Sequence, residues 1–329
     1  MRSKLCSIEE TKSLLAEGKT LLLAGEESAI DQLPSGKWIA GTIPYFMASD
    51  GGIMTKNQIF VTEVPDFITD QKITFYDEIT IERVYEDGFE KGFTVLIIPA
   101  TSKTHFAFAL RAPFFKEFAS KPLIGWIAGV DLAEVGKVTP KVYNGLLAQK
   151  YAEGAIGLHC QLPPNMEADI NIINIFSEGN GDVIEFLEDG FSVAEALING
   201  KRQDFTEYLT NNKIDTRYPL VSDYSGSKIN ASFQKVDIAT HRVDLYAPVF
   251  KNLQYRLATP IEDYVAGFNT VLEQFNTSDI YFSCNCILNY VYGKLEGQKT
   301  KGFVGPVTFG EIAYQLLNQT LVYLKIYGI

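Results

Sequence analysis

The chain has 329 residues, a formal net charge of −11 and a pI near 4.9, with 46% hydrophobic and 21% charged residues. That balance excludes a disordered chain, because there is ample apolar side chain to offset the entropy of ordering. The acidic excess argues against a nucleic-acid partner, which needs clustered Lys and Arg, and at ~100–200 residues per domain the length suggests about two domains.

No apolar stretch of signal-peptide length follows Met1-Arg2-Ser3-Lys4-Leu5-Cys6; instead Ser7-Ile8-Glu9-Glu10 reads as a capping box opening an amphipathic helix. Lys19–Ala24 and Lys37–Gly41 read as short apolar strands. Asp50-Gly51-Gly52 is a turn, and the alternating Gln58–Val64 suggests a hairpin around it. Asp77–Tyr85 is ambiguous. Gly92–Pro99 and Leu123–Gly129 read as buried strands, with Phe106–Phe118 between them as a helix interrupted near Pro113. The most apolar runs, Phe93–Ala100 and Leu123–Val130, fall far short of the ~20 residues a spanning helix needs. The expectation is a cytoplasmic protein with no membrane insertion.

The segment Val142–Cys160 ends in a small-residue strand, Gly154-Ala155-Ile156-Gly157-Leu158-His159-Cys160, and Pro163-Pro164-Asn165 then breaks the pattern. The expected division is therefore residues 1–165 and 166–329. Beyond it, Ala168–Phe176 and Val183–Leu187 read as strands. Ser192-Val193-Ala194-Glu195 reads as a second capping box, opening a helix that ends at Asn199-Gly200. Ser222–Asn230 reads as a hairpin loop and Val236–Phe250 as mixed strand. Thr259-Pro260-Ile261-Glu262 has the chemistry of a helix start, and Ile261, Tyr264, Val265, Phe268, Val271, Leu272 and Phe275 follow at helical spacing. Asp279–Cys284 and Gln319–Tyr327 close the chain as strands. In the last, Val322, Leu324 and Ile326 share one face and Leu321, Tyr323 and Tyr327 the other, so both faces are expected to be covered.

No Walker, dinucleotide-binding, nucleophile-elbow or H-E-x-x-H motif is present. The four cysteines, Cys6, Cys160, Cys284 and Cys286, are too sparse for a disulfide scaffold. Cys284-Asn285-Cys286, if extended, puts two thiols on one face; with His159 and Cys160 they would make four soft ligands for zinc. The spacing matches no standard zinc pattern, and buried packing or a ligand-facing thiol are the competing readings. A denser signal is Gly302-Phe303-Val304-Gly305-Pro306-Val307-Thr308-Phe309-Gly310-Glu311-Ile312, where glycines allow close backbone approach beside Thr308 and the Glu311 carboxylate. It reads equally as a tight structural turn. Tyr45, Phe46, Phe282, Tyr290, Tyr292, Phe303, Phe309 and Tyr314 recur near the glycines as pocket or core aromatics.

The C-terminal pattern of Phe282-Ser283-Cys284, Gly302-Phe303, Phe309-Gly310-Glu311-Ile312 and Leu317-Asn318-Gln319-Thr320 resembles the FIST family of sensory domains. Val183–Gly190 and the segment beginning at Ser192 resemble the opening of that family's C-terminal half. Ile39-Ala40-Gly41-Thr42, Gly51-Gly52, Leu123-Ile124-Gly125-Trp126 and Gly154-Ala155-Ile156-Gly157 resemble its N-terminal half more loosely. Two departures stand out. The apolar Cys286-Ile287-Leu288 replaces a basic residue that the family often carries, and Pro44, Tyr45 and Phe46 crowd the first glycine junction.

The resemblance implies an α+β fold of two halves, each with a largely antiparallel or mixed sheet covered by helices. It implies a small ligand, perhaps an amino acid or small metabolite, held by Gly41, Thr42, Cys284, Asn285, Thr308, Gly310 and Glu311, with no catalytic residue, cofactor or metal. Signalling would pass through a separate protein or self-association, since the length leaves no room for an output domain. The alternatives are an enzyme with Cys284 or Cys286 as nucleophile, and an assembly protein without a ligand.

Overall fold

The computed structural model describes residues 3–224, 227–261, 263–274, 277 and 279–328. It is sheet-rich, 44% strand and 17% helix, with several mixed or antiparallel sheets. Three of the sheets repeat one arrangement, in which two central strands run parallel and every flanking pair is antiparallel. The first sheet runs in space Ser3–Ser7, Gln58–Glu63, Leu21–Gly25, Trp38–Thr42, Val142–Asn144, Gln149–Tyr151. The second runs Gln315–Leu317, Glu311–Ala313, Leu123–Ala128, Gly92–Pro99, Ala155–Gln161, Asp70–Tyr76. The third runs Met166–Ile173, Leu321–Gly328, Ile280–Cys286, Gly305–Thr308, Tyr45–Ala48, Gly51–Met54. The parallel pairs are Leu21–Gly25 with Trp38–Thr42, Gly92–Pro99 with Leu123–Ala128, and Ile280–Cys286 with Gly305–Thr308.

A parallel pair needs a crossover, and each here contains a helix: Glu27–Ile30, Lys103–Arg111 and Ile287–Tyr292 respectively. The two-faced apolar strands explain the stacking. In Leu21–Gly25, Leu22 and Ala24 face one core while Leu21 and Leu23 face another. The shared inner core takes Ile39 from the first sheet, Ile97 and Trp126 from the second, and Cys284, Val322 and Leu324 from the third. A separate core lies among the antiparallel strands of residues 184–257 and the helix Phe205–Asn211. Strands cross residue 165 in both directions: Tyr45–Ala48 pairs with Gly305–Thr308, and Glu311–Ala313 with Leu123–Ala128.

The Ser7 box forms as expected, with the Ser7 and Glu10 side chains capping each other's backbone N–H. The Leu321–Gly328 strand buries Val322 and Leu324 in the inner core and Leu321 and Tyr323 on the opposite face. Other expectations are corrected. The turn at Asp50 closes a hairpin between Tyr45–Ala48 and Gly51–Met54, whereas Gln58–Glu63 pairs with Ser3–Ser7 and Leu21–Gly25. Asp77–Tyr85 contains a short 3₁₀ turn, Thr80–Arg83.

Ser192 opens no helix: Gly190–Val193 and Glu195–Ile198 are strands, Ser192 donates to Asp244, and Glu195 pairs with Arg202. The helix follows later, capped by Asp204, which accepts the Glu207 N–H. Thr259 is likewise not a cap. Its N–H donates to the Ser177 carbonyl, and Asp263 caps the helix Tyr264–Leu272. Glu262, Phe275 and the Val265 side chain lie outside the described residues.

Candidate functional site

The sequence-derived site residues are brought near one another, but deep in the interior. Glu311 and Trp126 are directly opposite on paired strands, and Glu311 is fully buried. Its Oε2 accepts from the Thr320 N–H at 3.2 Å and the Thr320 hydroxyl at 2.8 Å. Oε1 has no hydrogen-bond partner, although the Cys286 thiol and Thr308 hydroxyl lie beside the carboxyl group. Burial is the main cause that pushes this carboxyl up to about 8, against the Thr320 bonds that lower it. At neutral pH it is therefore largely protonated.

Cys284 and Cys286 are each 1% exposed. Burial first, then the Glu311 charge, raises both thiols well above their ordinary value. The Cys284 thiol donates to the Gly125 carbonyl at 3.3 Å. Asn285 Oδ1 accepts from Asn289 and from the Cys286 N–H. Thr308 donates to the carbonyls of Gly310 and Asn285.

Gly41 is a packing position: a Cβ there would lie 2.6 Å from Ile97 Cγ2 and 2.8 Å from the Trp126 indole nitrogen. Gly310 is buried against Ile127 and Leu316. His159 shares no face with Cys160; its ring bonds to the Tyr76 and Thr94 hydroxyls, while Cys160 lies in the inner core. Among the described residues no cluster of His, Cys, Asp or Glu could hold a metal ion.

The open space lies immediately beyond these residues. The three parallel pairs end together. The Gly129 N–H, after Leu123–Ala128, donates to the Thr42 carbonyl at 2.7 Å. The Ile127 N–H donates to the Gly310 carbonyl at 2.8 Å, and the Phe309 N–H to the Ile127 carbonyl at 3.1 Å. Gly129 lets the Phe309 ring lie on the backbone, since a Cβ there would be 2.3 Å from that ring.

Outside these ends is a cleft of about 770 Å³. Ala100, Thr101 and Val130 line it after the second sheet's parallel strands, and Ile287, Leu288 and Phe309 after the third's. The loop 130–140 forms another wall. Phe191 and Arg242, from the antiparallel strands beyond, face it from the far side. None of Gly41, Thr42, Cys284, Asn285, Thr308, Gly310 or Glu311 lines this cleft. Thr42 instead anchors the loop, accepting the Lys141 N–H on its hydroxyl and donating its own N–H to the Lys141 carbonyl, both at 2.9 Å.

His105 sits in the first turn of Lys103–Arg111 and lines the cleft at 7% exposure. Its Nδ1 accepts the Thr101 N–H at 3.2 Å, so the neutral ring carries its proton on Nε2. That Nε2 is buried without a partner. Burial lowers the ring's pKa to about 4, which keeps it neutral at pH 7. Thr101 adopts φ +64, an uncommon conformation for a β-branched residue. The rings of Phe106 and Phe191 flank the imidazole at 5.5 and 5.7 Å between centroids. Phe191 lies at a register shift between Gly190 and Ser192, the kind of bulge that re-aims a side chain.

Of the aromatics picked from sequence, Tyr292 and Phe309 line the cleft. His105, Phe106, Phe191 and Arg242 carried no such signal; the available one was a strand followed by Thr101-Ser102 and a helix start, at the end of Gly92–Pro99.

A mixed-sheet fold with a cleft at the carboxyl ends of parallel strands defines a class, not an activity. The chain belongs to a family of unknown function (DUF6976), whose model matches residues 6–327. No curated protein matches it.

Proposed function

We propose that the protein is a small-ligand-binding sensory protein, with its ligand in the cleft between the loop 130–140, the helix Ile287–Tyr292 and Phe191. The observation that carries this reading is the convergence of parallel-strand carboxyl ends on one apolar cleft with few polar groups. Open α/β sheets bind ligands at such ends, and about 770 Å³ is within the roughly 300–1,000 Å³ of small-molecule sites.

The FIST resemblance extends the reading. It gives two halves, 1–165 and 166–329, each with a largely antiparallel or mixed sheet covered by helices, a ligand of the amino-acid or small-metabolite class, and output through a separate signalling protein in the cytoplasm. Among the described residues no helix is long and apolar enough to cross a membrane. The rival cysteine enzyme would need an accessible thiol of lowered pKa, and the burial of Cys284 and Cys286 weighs against it.

A thermal-shift screen over amino acids, carboxylates and neutral metabolites tests the proposal when run beside Val291→Trp. Val291 lines the cleft and is 43% exposed, so the indole fills the space with little strain on the core. Binding raises apparent stability by mass action. Hits are expected to raise the Tm of the native chain and not that of the variant. Hits that stabilise both equally would place the ligand elsewhere.

A further inference from the structure

We infer that the cleft takes an apolar carboxylate, a molecule with an aliphatic or aromatic body and one anionic head, whose oxygen accepts the Nε2–H of His105. This rests on the cleft being a ligand site, and adds what the ligand must be. Three independent features support it.

The first is a buried donor with nothing to donate to. The backbone bond from Thr101 commits His105 to one tautomer, leaving a fixed N–H in the cleft wall without an acceptor. An unsatisfied buried donor is costly. An acceptor oxygen from a ligand removes that cost, whereas an ammonium head finds no acceptor on this ring.

The second is the local charge. The chain carries −11 overall, yet the cleft is lined by two cations, Lys137 and Arg242, and one carboxylate, Asp244. Asp244 is already engaged, accepting from Arg242 Nε at 3.1 Å and from Ser192 at 2.6 Å. Arg242 spends only its Nε on Asp244 and Ser192; among the described residues its Nη groups make no hydrogen bond. Two cations against one carboxylate leave this lining with a net positive charge, which favours an anionic head over a cationic one.

The third is the cover. Phe191, at the bulge, packs edge-on to His105 and Phe106. Because Nε2 is buried, a neighbouring ring must move for a head group to reach it, and in this proposal that ring is Phe191, which comes from the far wall. Val130, Leu288, Val291 and Phe309 then supply an apolar wall for the ligand's body.

The test uses the full chain and Nile red, a neutral apolar fluorophore, as reporter of cleft occupancy, with Val291→Trp as the blocked control. Octanoate, 1-octanol and octylamine compete with it, below their micelle-forming concentrations. Octanoate is expected to displace the dye at concentrations about ten-fold lower than either isostere, the size of one charge-assisted hydrogen bond. His105→Leu is expected to erase that advantage while dye binding persists. Phe191→Ala, which keeps the donor and removes the cover, is expected to tighten octanoate. If the dye binds and octylamine or 1-octanol competes as well as octanoate, or if Phe191→Ala leaves octanoate unchanged, the carboxylate assignment is overturned while the cleft stands. If the dye binds neither form, or both equally, the cleft itself is not the site and both readings fall.

Discussion

Glu311 is where burial and chemistry meet most sharply. Its carboxyl is held neutral in the core, with a pKa near 8, so the folded chain keeps a proton that the unfolded chain releases. Its contribution to stability falls as pH rises from about 4.5 to about 8. His105 and His159 act in the opposite sense. Burial lowers both to about 4 from 6.5, so the unfolded chain binds protons that the folded one refuses, and stability is lost as pH falls from 6.5 towards 4. Between about 4.5 and 6.5 the two histidines outweigh the one carboxyl, and above that, of these three groups, Glu311 alone titrates. Chemical denaturation across pH is therefore expected to show a maximum near pH 6.5 and a decline to pH 8. Glu311→Gln keeps an acceptor for Thr320 and should abolish the decline; a decline that persists in this variant would mean that another group is responsible.

At the scale of elements, the loop 130–140 depends on a residue read from sequence as a ligand contact. Thr42 ties both ends of the loop: its carbonyl accepts the Gly129 N–H and its hydroxyl accepts the Lys141 N–H. Asp131 adds an ion pair with Lys56 at 2.9 Å and a hydrogen bond from Tyr45. Thr42→Val removes one acceptor while preserving shape, and an amide left unpaired in that way costs about 1–3 kcal/mol. Hydrogen exchange is expected to speed up at Lys141 and through the loop, with the three sheets unaffected. Unchanged exchange at Lys141 would show that Thr42 is not the anchor.

What was legible in the sequence follows from the same physics. Leu321–Gly328 carries apolar residues on both of its faces, so both could be assigned to a core. Ser7 capped a helix because an amphipathic run followed it. Ser192-Val193-Ala194-Glu195 carried the same cap chemistry, but only Gly200 and strand-compatible residues lay beyond, and the pairing with Arg242–Val249 and Ile184–Phe186 decided the outcome. Short runs obey the neighbour they find more than their own propensity. The site residues were recognised as a Gly-rich, polar-flanked cluster, and they do gather around Glu311. Their burial could not be seen, because it depends on strands paired across more than a hundred residues, such as Glu311–Ala313 with Leu123–Ala128.

At the scale of the whole molecule, three sheets each carry one parallel pair, and the ends of those pairs are stitched to one another by backbone hydrogen bonds. Strands exchanged across residue 165 make this junction the product of both parts of the chain. The antiparallel strands Gly190–Val193 and Arg242–Val249 supply Phe191 and Arg242 to the opposite wall. The cleft is lined from the ends of the second and third sheets' parallel strands, from the loop 130–140 and from these antiparallel strands, so a ligand there would touch several layers at once. The most direct measurement is a crystal structure of the chain grown with octanoate. The carboxylate is expected within hydrogen-bond reach of His105 Nε2, with the Phe191 ring displaced and the alkyl chain against Val130, Leu288 and Phe309. An octanoate seated on another face, or one whose head group points away from an undisturbed Phe191, would contradict it.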